Sequence, residues 1–261
     1  MLARLRQWRR QRILRRAGIP PYRWQRVLSA IPVCAGLDAP ARARLWELAS
    51  LFLHDKRVEP VHGLQLGSDE RATIAAMACL PILNLGLSAY RGWHTVLVYP
   101  GAFLVHHRYT DASGLEHAES GPLAGEAWDA GPVVLSWDDV LASLDRDGYN
   151  VVLHEFCHKL DMANGEANGY PPLPAGMDRH AWVAAFTGAF EAEARQYDAH
   201  EPTALDPYAL ESPAEFFAVA CEAFFECPHQ LAAALPSVYQ QLRGYFGQDP
   251  RQRLPADRCV R

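Results

Sequence analysis

The chain predicts an α+β fold: a helical N-terminal part, a small sheet and a mostly helical C-terminal half. Three observations carry that prediction. Apolar residues recur at helical spacing before residue 80 and after residue 150. β-Branched and aromatic residues concentrate between 94 and 137, and no internal repeat or Gly/Ser linker divides the 261 residues. Apolar residues at 49% and charged residues at 21% are ordinary globular usage, which excludes a disordered chain, a coiled coil and a collagen-like repeat.

The elements follow in order. Met1 to Arg16 sets Leu2, Leu5, Trp8 and Ile13 among arginines, an amphipathic helical pattern that Pro20-Pro21 should end. This basic arm, residues 1–20, reads as solvated, or as a contact for an acidic partner or lipid surface. Pro40 to His54 is a core helix with Leu45, Leu48, Ala49, Phe52 and Leu53 on one side. Glu59 to Gly67 reads as extended, and Asp69 to Leu80 as a helix with Ser68 as N-cap. His94 to His107, broken at Pro100-Gly101, predicts two strands; Gly131 to Trp137 predicts a third, with a short helix over Asp138 to Arg146. Asn150 to Met162 is a strongly apolar helix with polar residues at fixed intervals, and Ala163 to Gly176 is turn chemistry throughout. Helices are expected at 178–197, 212–226 and 236–246.

Net charge is −5, so the molecule as a whole is not built to bind nucleic acid directly. Residues 1–16 hold seven arginines and no acid; setting them aside leaves −12 on residues 17–261. The six cysteines show no CxxC and no regular spacing, and the Arg-rich start is followed by Ala-Gly-Ile-Pro-Pro rather than an apolar segment. Ile74 to Tyr90 is the most apolar stretch, but Pro81, Asn84 and Gly86 interrupt it, and it falls short of the roughly 20 residues of a membrane span. A soluble, reduced, cytoplasmic protein is expected.

The chemistry lies at 151–161, where His154, Glu155 and His158 form HExxH. On a helix, positions i and i+4 stand one turn apart on one face. Two imidazoles there can hold one Zn²⁺ per chain at about 2.0–2.1 Å. Glu155 follows the first histidine, so its carboxylate reaches a water at the metal without ligating the metal itself. This is the pattern of a zinc hydrolase, with Glu155 as general base. A catalytic zinc needs a third protein ligand. Asp161, on the same face, suits orienting an imidazole from behind better than direct ligation. Glu215 and Glu222 lie seven residues apart on one stripe of the next acidic helix. Ser212, Pro213 and Glu215 also fit a capping box. Spacing alone leaves the choice between the two glutamates open.

HEFCHKLDMANG at 154–165, followed by YALESPAEFFAVACEAFFE at 208–226, resembles the Mlc titration factor A (MtfA) family of bacterial zinc peptidases. The likeness extends through Arg23-Trp24, the His94 to Tyr99 strand, Leu135-Ser-Trp137 and Tyr245 to Pro250, covering most of the chain from about residue 20. The resemblance implies a zincin-like (gluzincin) metallopeptidase related to the catalytic domain of anthrax lethal factor. It implies a single domain over 21–261, with a catalytic core at about 90–226 and a C-terminal helix. It further implies Glu215 as third ligand, Tyr208 facing the zinc as donor to the oxyanion, and an aminopeptidase-like activity on peptides. Binding to a glucose-responsive transcriptional repressor of the Mlc type is implied too, although no motif here carries it. Glu222 and Asp161 remain as residues orienting ligands from behind. Cys157, inside HExxH, reads as packing. The strand at Val133 to Trp137 is the candidate for pairing with extended substrate. The rival reading is a non-catalytic regulator-binding protein with a structural or vestigial zinc site; the presence of Glu155 counts against it.

Overall fold

The computed structural model describes residues 2–110, 116–123, 125–127 and 131–256. Ten α-helices and six strands appear among them. α1 (Leu2–Ala17) lies on α3 (Ala39–Asp55), where Arg10 Nη2 meets Glu47 Oε2 at 2.5 Å. α1 stops at Ala17, three residues before Pro20, and Pro21 opens a helix the periodicity does not predict, α2 (Pro21–Ser29). Proline suits a first helical position because its missing N–H would be unpaired there anyway. α2 buries Trp24 and Val27. α3 starts at Asp38, whose carboxylate accepts from Ala41 N at 2.8 Å, and it buries Leu45, Leu48, Ala49 and Phe52.

After β1 (Arg57–Pro60) comes α4 (Ser68–Cys79). Ser68 is its first helical residue rather than its cap: Gly67 holds the cap position and no side chain bonds there. β2 (Thr95–Tyr99) and β3 (Phe103–Thr110) are the two expected strands. β3 pairs antiparallel with β4 (Glu116–Leu123), and β5 (Gly125–Ala127) follows. β6 (Val133–Ser136) leads into α5 (Trp137–Ala142), capped by Ser136 Oγ.

The main sheet runs β1-β2-β6-β5. The first three are parallel, with Val96 beside Val133 and Val98 beside Leu135; β5 joins antiparallel to β6. All four residues of β6 are buried, as befits a parallel strand covered on both faces. β6 is therefore occupied on both sides, by β2 and β5. The expectation that Val133 to Trp137 pairs with substrate is corrected on that ground, since its backbone N–H and C=O groups already serve the ladder.

α6 (Val151–Asp161) packs under β5 and β6 and against α8 (Pro213–Glu226). α7 (Arg179–Asp198) sits outside α8, and α9 (Pro228–Ala234) and α10 (Pro236–Phe246) follow. Buried apolar residues from Ile19 to Phe246 form one contiguous core. Trp182 on α7 stacks on Phe186 at 4.4 Å and donates from Nε1 to Gly169 O, pinning the turn-rich segment that follows α6. Cys34, Cys79, Cys157 and Cys221 are free and buried. Among the described residues no helix is long and apolar enough to cross a membrane.

Candidate metal centre

α6 begins at Asn150, whose Oδ1 accepts from Leu153 N at 2.9 Å. Val151, Val152, Leu153, Phe156 and Leu160 turn into the core. The same helix thereby presents His154 and His158 toward α8. Their Nε2 atoms stand 3.1 Å apart. Glu215, on the first turn of α8, brings Oε2 to 3.0 Å from His154 Nε2 and Oε1 to 3.3 Å from His158 Nε2. One donor atom from each of these three residues lies within 4.8 Å of the others. The capping signal at Glu215 is half realised. Ser212 Oγ caps α8 by accepting from Glu215 N at 3.1 Å, while the Glu215 carboxylate turns to the histidines.

Glu222 lies two turns along α8 and does something different. Its Oε1 is 2.9 Å from His154 Nδ1, and its Oε2 accepts from Asn150 N at 2.5 Å. The Asn150 side chain in turn donates to Glu226 Oε1 at 2.9 Å and to Ser143 O. Neither Asn150 nor Glu226 was singled out from the sequence. The signal for Asn150 was available, as an N-cap residue immediately before an apolar helix. Glu226 was visible only as one more turn on the Glu215–Glu222 stripe.

Asp161 behaves otherwise than expected. Its Oδ2 accepts from Asn168 N at 2.8 Å and Gly169 N at 2.6 Å, tethering the segment after α6. Its Oδ1 and the Nδ1 of His158 are both buried without a hydrogen-bond partner, so the expected bond from His158 to Asp161 is not made. Backbone N–H groups arriving from seven and eight residues on claim the carboxylate instead. Glu155 is buried at 4% exposure, one residue beyond His154. Tyr208, in the 3-10 turn Pro207–Leu210, is half-exposed, with its ring 6.0 Å from that of His154.

The electrostatics agree with the geometry. Burial opposes a charge on His154, but hydrogen bonds to Glu215 and Glu222 outweigh it and hold the imidazole well above its ordinary pKa. Burial likewise resists ionisation of Glu215, yet the two imidazoles hold its carboxyl far below the usual range. Burial, then the Glu215 charge, pushes the Tyr208 phenol up, so it stays protonated and able to donate.

These donors fit a metal ion. Two Nε2 atoms 3.1 Å apart can share at most one proton, so facing them onto one carboxylate suits a cation better than a hydrogen-bonded core. An Nδ1–H donated from His154 to Glu222 leaves the Nε2 lone pair free for ligation. A hollow of about 800 Å³ between α2 and α3 is lined by none of the predicted site residues.

The sequence model of the glucose-regulated metallo-peptidase M90 family matches residues 5–247. The chain belongs to that family. Its similarity to individual members is of the same breadth. It is 38% identical over 240 residues to Mlc titration factor A of Cronobacter sakazakii, covering 91% of this chain and 90% of that one. It is 38% identical over 250 residues to the protein of that name from Salmonella agona, covering 95% and 92%. With that of Escherichia fergusonii it shares 40% over 238 residues, covering 90% and 88%. Membership in the M90 family makes this a metallopeptidase-like protein. His154, His158 and Glu215 are a group of described residues that could hold a metal ion.

Proposed function

We propose that the protein is a zinc-dependent peptidase of the zincin-like, gluzincin type, aminopeptidase-like in its action on peptides and cytoplasmic. One Zn²⁺ per chain would be held by His154, His158 and Glu215. The observation that carries this reading is the convergence of those three donors while Glu222 occupies the other nitrogen of His154. Bound there, zinc supplies Lewis-acid activation of a water and of the substrate carbonyl. Glu155 takes the proton from the attacking water and returns it to the leaving amine. Tyr208 donates its phenolic hydrogen to the oxyanion that forms on the scissile carbonyl. Glu222 holds the His154 ring in the tautomer that ligates. Asp161 keeps the segment after α6 in place beside the cleft. Extended peptide would add to β5, among the described residues the outer strand on this side of the sheet, against which α6 packs.

Relatives named Mlc titration factor A support a second property, binding to a transcriptional repressor of the Mlc type. The two readings are compatible, since Glu155 serves proton transfer and has no part in holding a regulator. The test is hydrolysis of a panel of chromogenic aminoacyl substrates. Activity that a chelator abolishes and zinc restores supports the peptidase; a zinc-loaded protein without activity on amino- or endopeptidase substrates returns it to a binding role.

A further inference from the structure

We propose that the outward face of α1 is a docking surface for an anionic lipid bilayer, on which the helix lies flat with Leu5 and Trp8 among the headgroups. At 100° per residue, Leu5, Trp8, Arg12 and Arg15 share one side of α1, the side opposite Arg10, Ile13 and Leu14, which turn toward α3. Leu5 is 61% exposed and Trp8 52% exposed, the only sizeable apolar side chains described on that side. Arg9, Arg12, Arg15 and Arg16 are exposed around them, and the Arg12 guanidinium sits over the Trp8 ring at 5.4 Å.

The chemistry selects the partner. All seven cations of the helix are arginine, whose planar fork pairs with two phosphate oxygens at once. A nucleic-acid duplex would take the arginines but offers nothing to cover Leu5. A bilayer takes both, since an interfacial helix buries Trp and Leu at the acyl boundary while its arginines reach phosphates. With 16 residues and seven charges α1 cannot cross the bilayer, so it lies on it. The body carries −12 and is repelled by an anionic membrane, which leaves α1 as the point of approach. This surface shares no residue with the metal centre.

The experiment is co-sedimentation of the full chain with vesicles of phosphatidylcholine alone, or with about 30% phosphatidylglycerol. Binding is expected to the anionic vesicles only, weakened at least tenfold when salt is raised to about 0.5 M. Arg12→Glu with Arg15→Glu should weaken it 25-fold or more, at about fivefold per arginine. Leu5→Ser with Trp8→Ser should weaken it about tenfold or more with the melting temperature unchanged, because both side chains are already exposed. No partition onto the anionic vesicles overturns the proposal. So does binding that the Leu5/Trp8 change leaves intact, or tighter binding to duplex DNA than to the vesicles at the same salt.

Discussion

Glu222 grips His154 from behind: its Oε1 lies 2.9 Å from Nδ1, while its other oxygen takes the backbone N–H of Asn150. One carboxylate thus fixes both the ring of a candidate ligand and the start of the helix that carries it. Asn150 extends the contact to Glu226, so the beginning of α6 and the second half of α8 are joined by a buried polar chain. This chain explains how two helices from distant parts of the sequence hold three candidate ligands in register.

Asn150 should therefore matter to stability more than an ordinary cap. Asn150→Ala removes the cap on Leu153 N and the amide that donates to Glu226. The two losses together should cost about 2–4 kcal/mol in urea unfolding. A variant as stable as the parent would show the chain to be dispensable.

Glu226 gives that chain a pH dependence. Burial pushes its carboxyl up to about 8; the Asn150 amide opposes the shift and the Glu222 charge adds to it. A carboxyl raised in the fold binds more protons folded than unfolded between its ordinary 4.5 and about 8. It therefore costs stability progressively as pH rises through that window, and costs nothing further above it. Compared with Glu226→Gln, the parent should lose a few kcal/mol between about pH 5 and about pH 8.5, read from urea midpoints. Parallel curves for the two proteins would contradict the assignment.

Glu155→Gln keeps the shape and hydrogen bonding of the side chain but cannot accept a proton. Hydrolysis should fall about 10²–10⁴-fold with zinc content unchanged. Repressor binding should survive the change. An active Glu155→Gln protein would rule out the proposed proton transfer.

Tyr208→Phe removes one hydroxyl from a half-exposed ring. Turnover should drop about 10²–10³-fold, the usual cost of one oxyanion donor, with melting temperature and zinc content held. A destabilised variant with full turnover would make Tyr208 a packing residue.

The sequence reveals His154, Glu155 and His158 because their relationship is local: i and i+4 on one helix share a face whatever the rest of the chain does. Glu215 and Glu222 share a face for the same reason, and that is why spacing cannot rank them. The crossing of α6 and α8 does, by setting Glu215 at both Nε2 atoms and Glu222 at Nδ1. The partners of Asp161 are not legible in the sequence because they arrive from the backbone of residues 168 and 169, where turn chemistry hides direction. β4 and β5 are not legible because HAESGPL and Gly-Glu-Ala lack β-branched residues and are strands only through pairing with their neighbours. β6 was legible as a strand, but its central place in the sheet was not. α2 is not legible because a proline pair marks the stop of one helix and the first position of the next equally well.

The zinc content of the full chain and of two single variants tests the central claim, that His154, His158 and Glu215 hold the metal while Glu222 orients it. The purified protein should contain about one zinc per chain. Glu215→Ala should lose it, whereas Glu222→Ala should still load, with affinity lowered about 10–100-fold. A zinc-free parent, or a Glu215→Ala protein that keeps its zinc while Glu222→Ala loses it, would contradict the account.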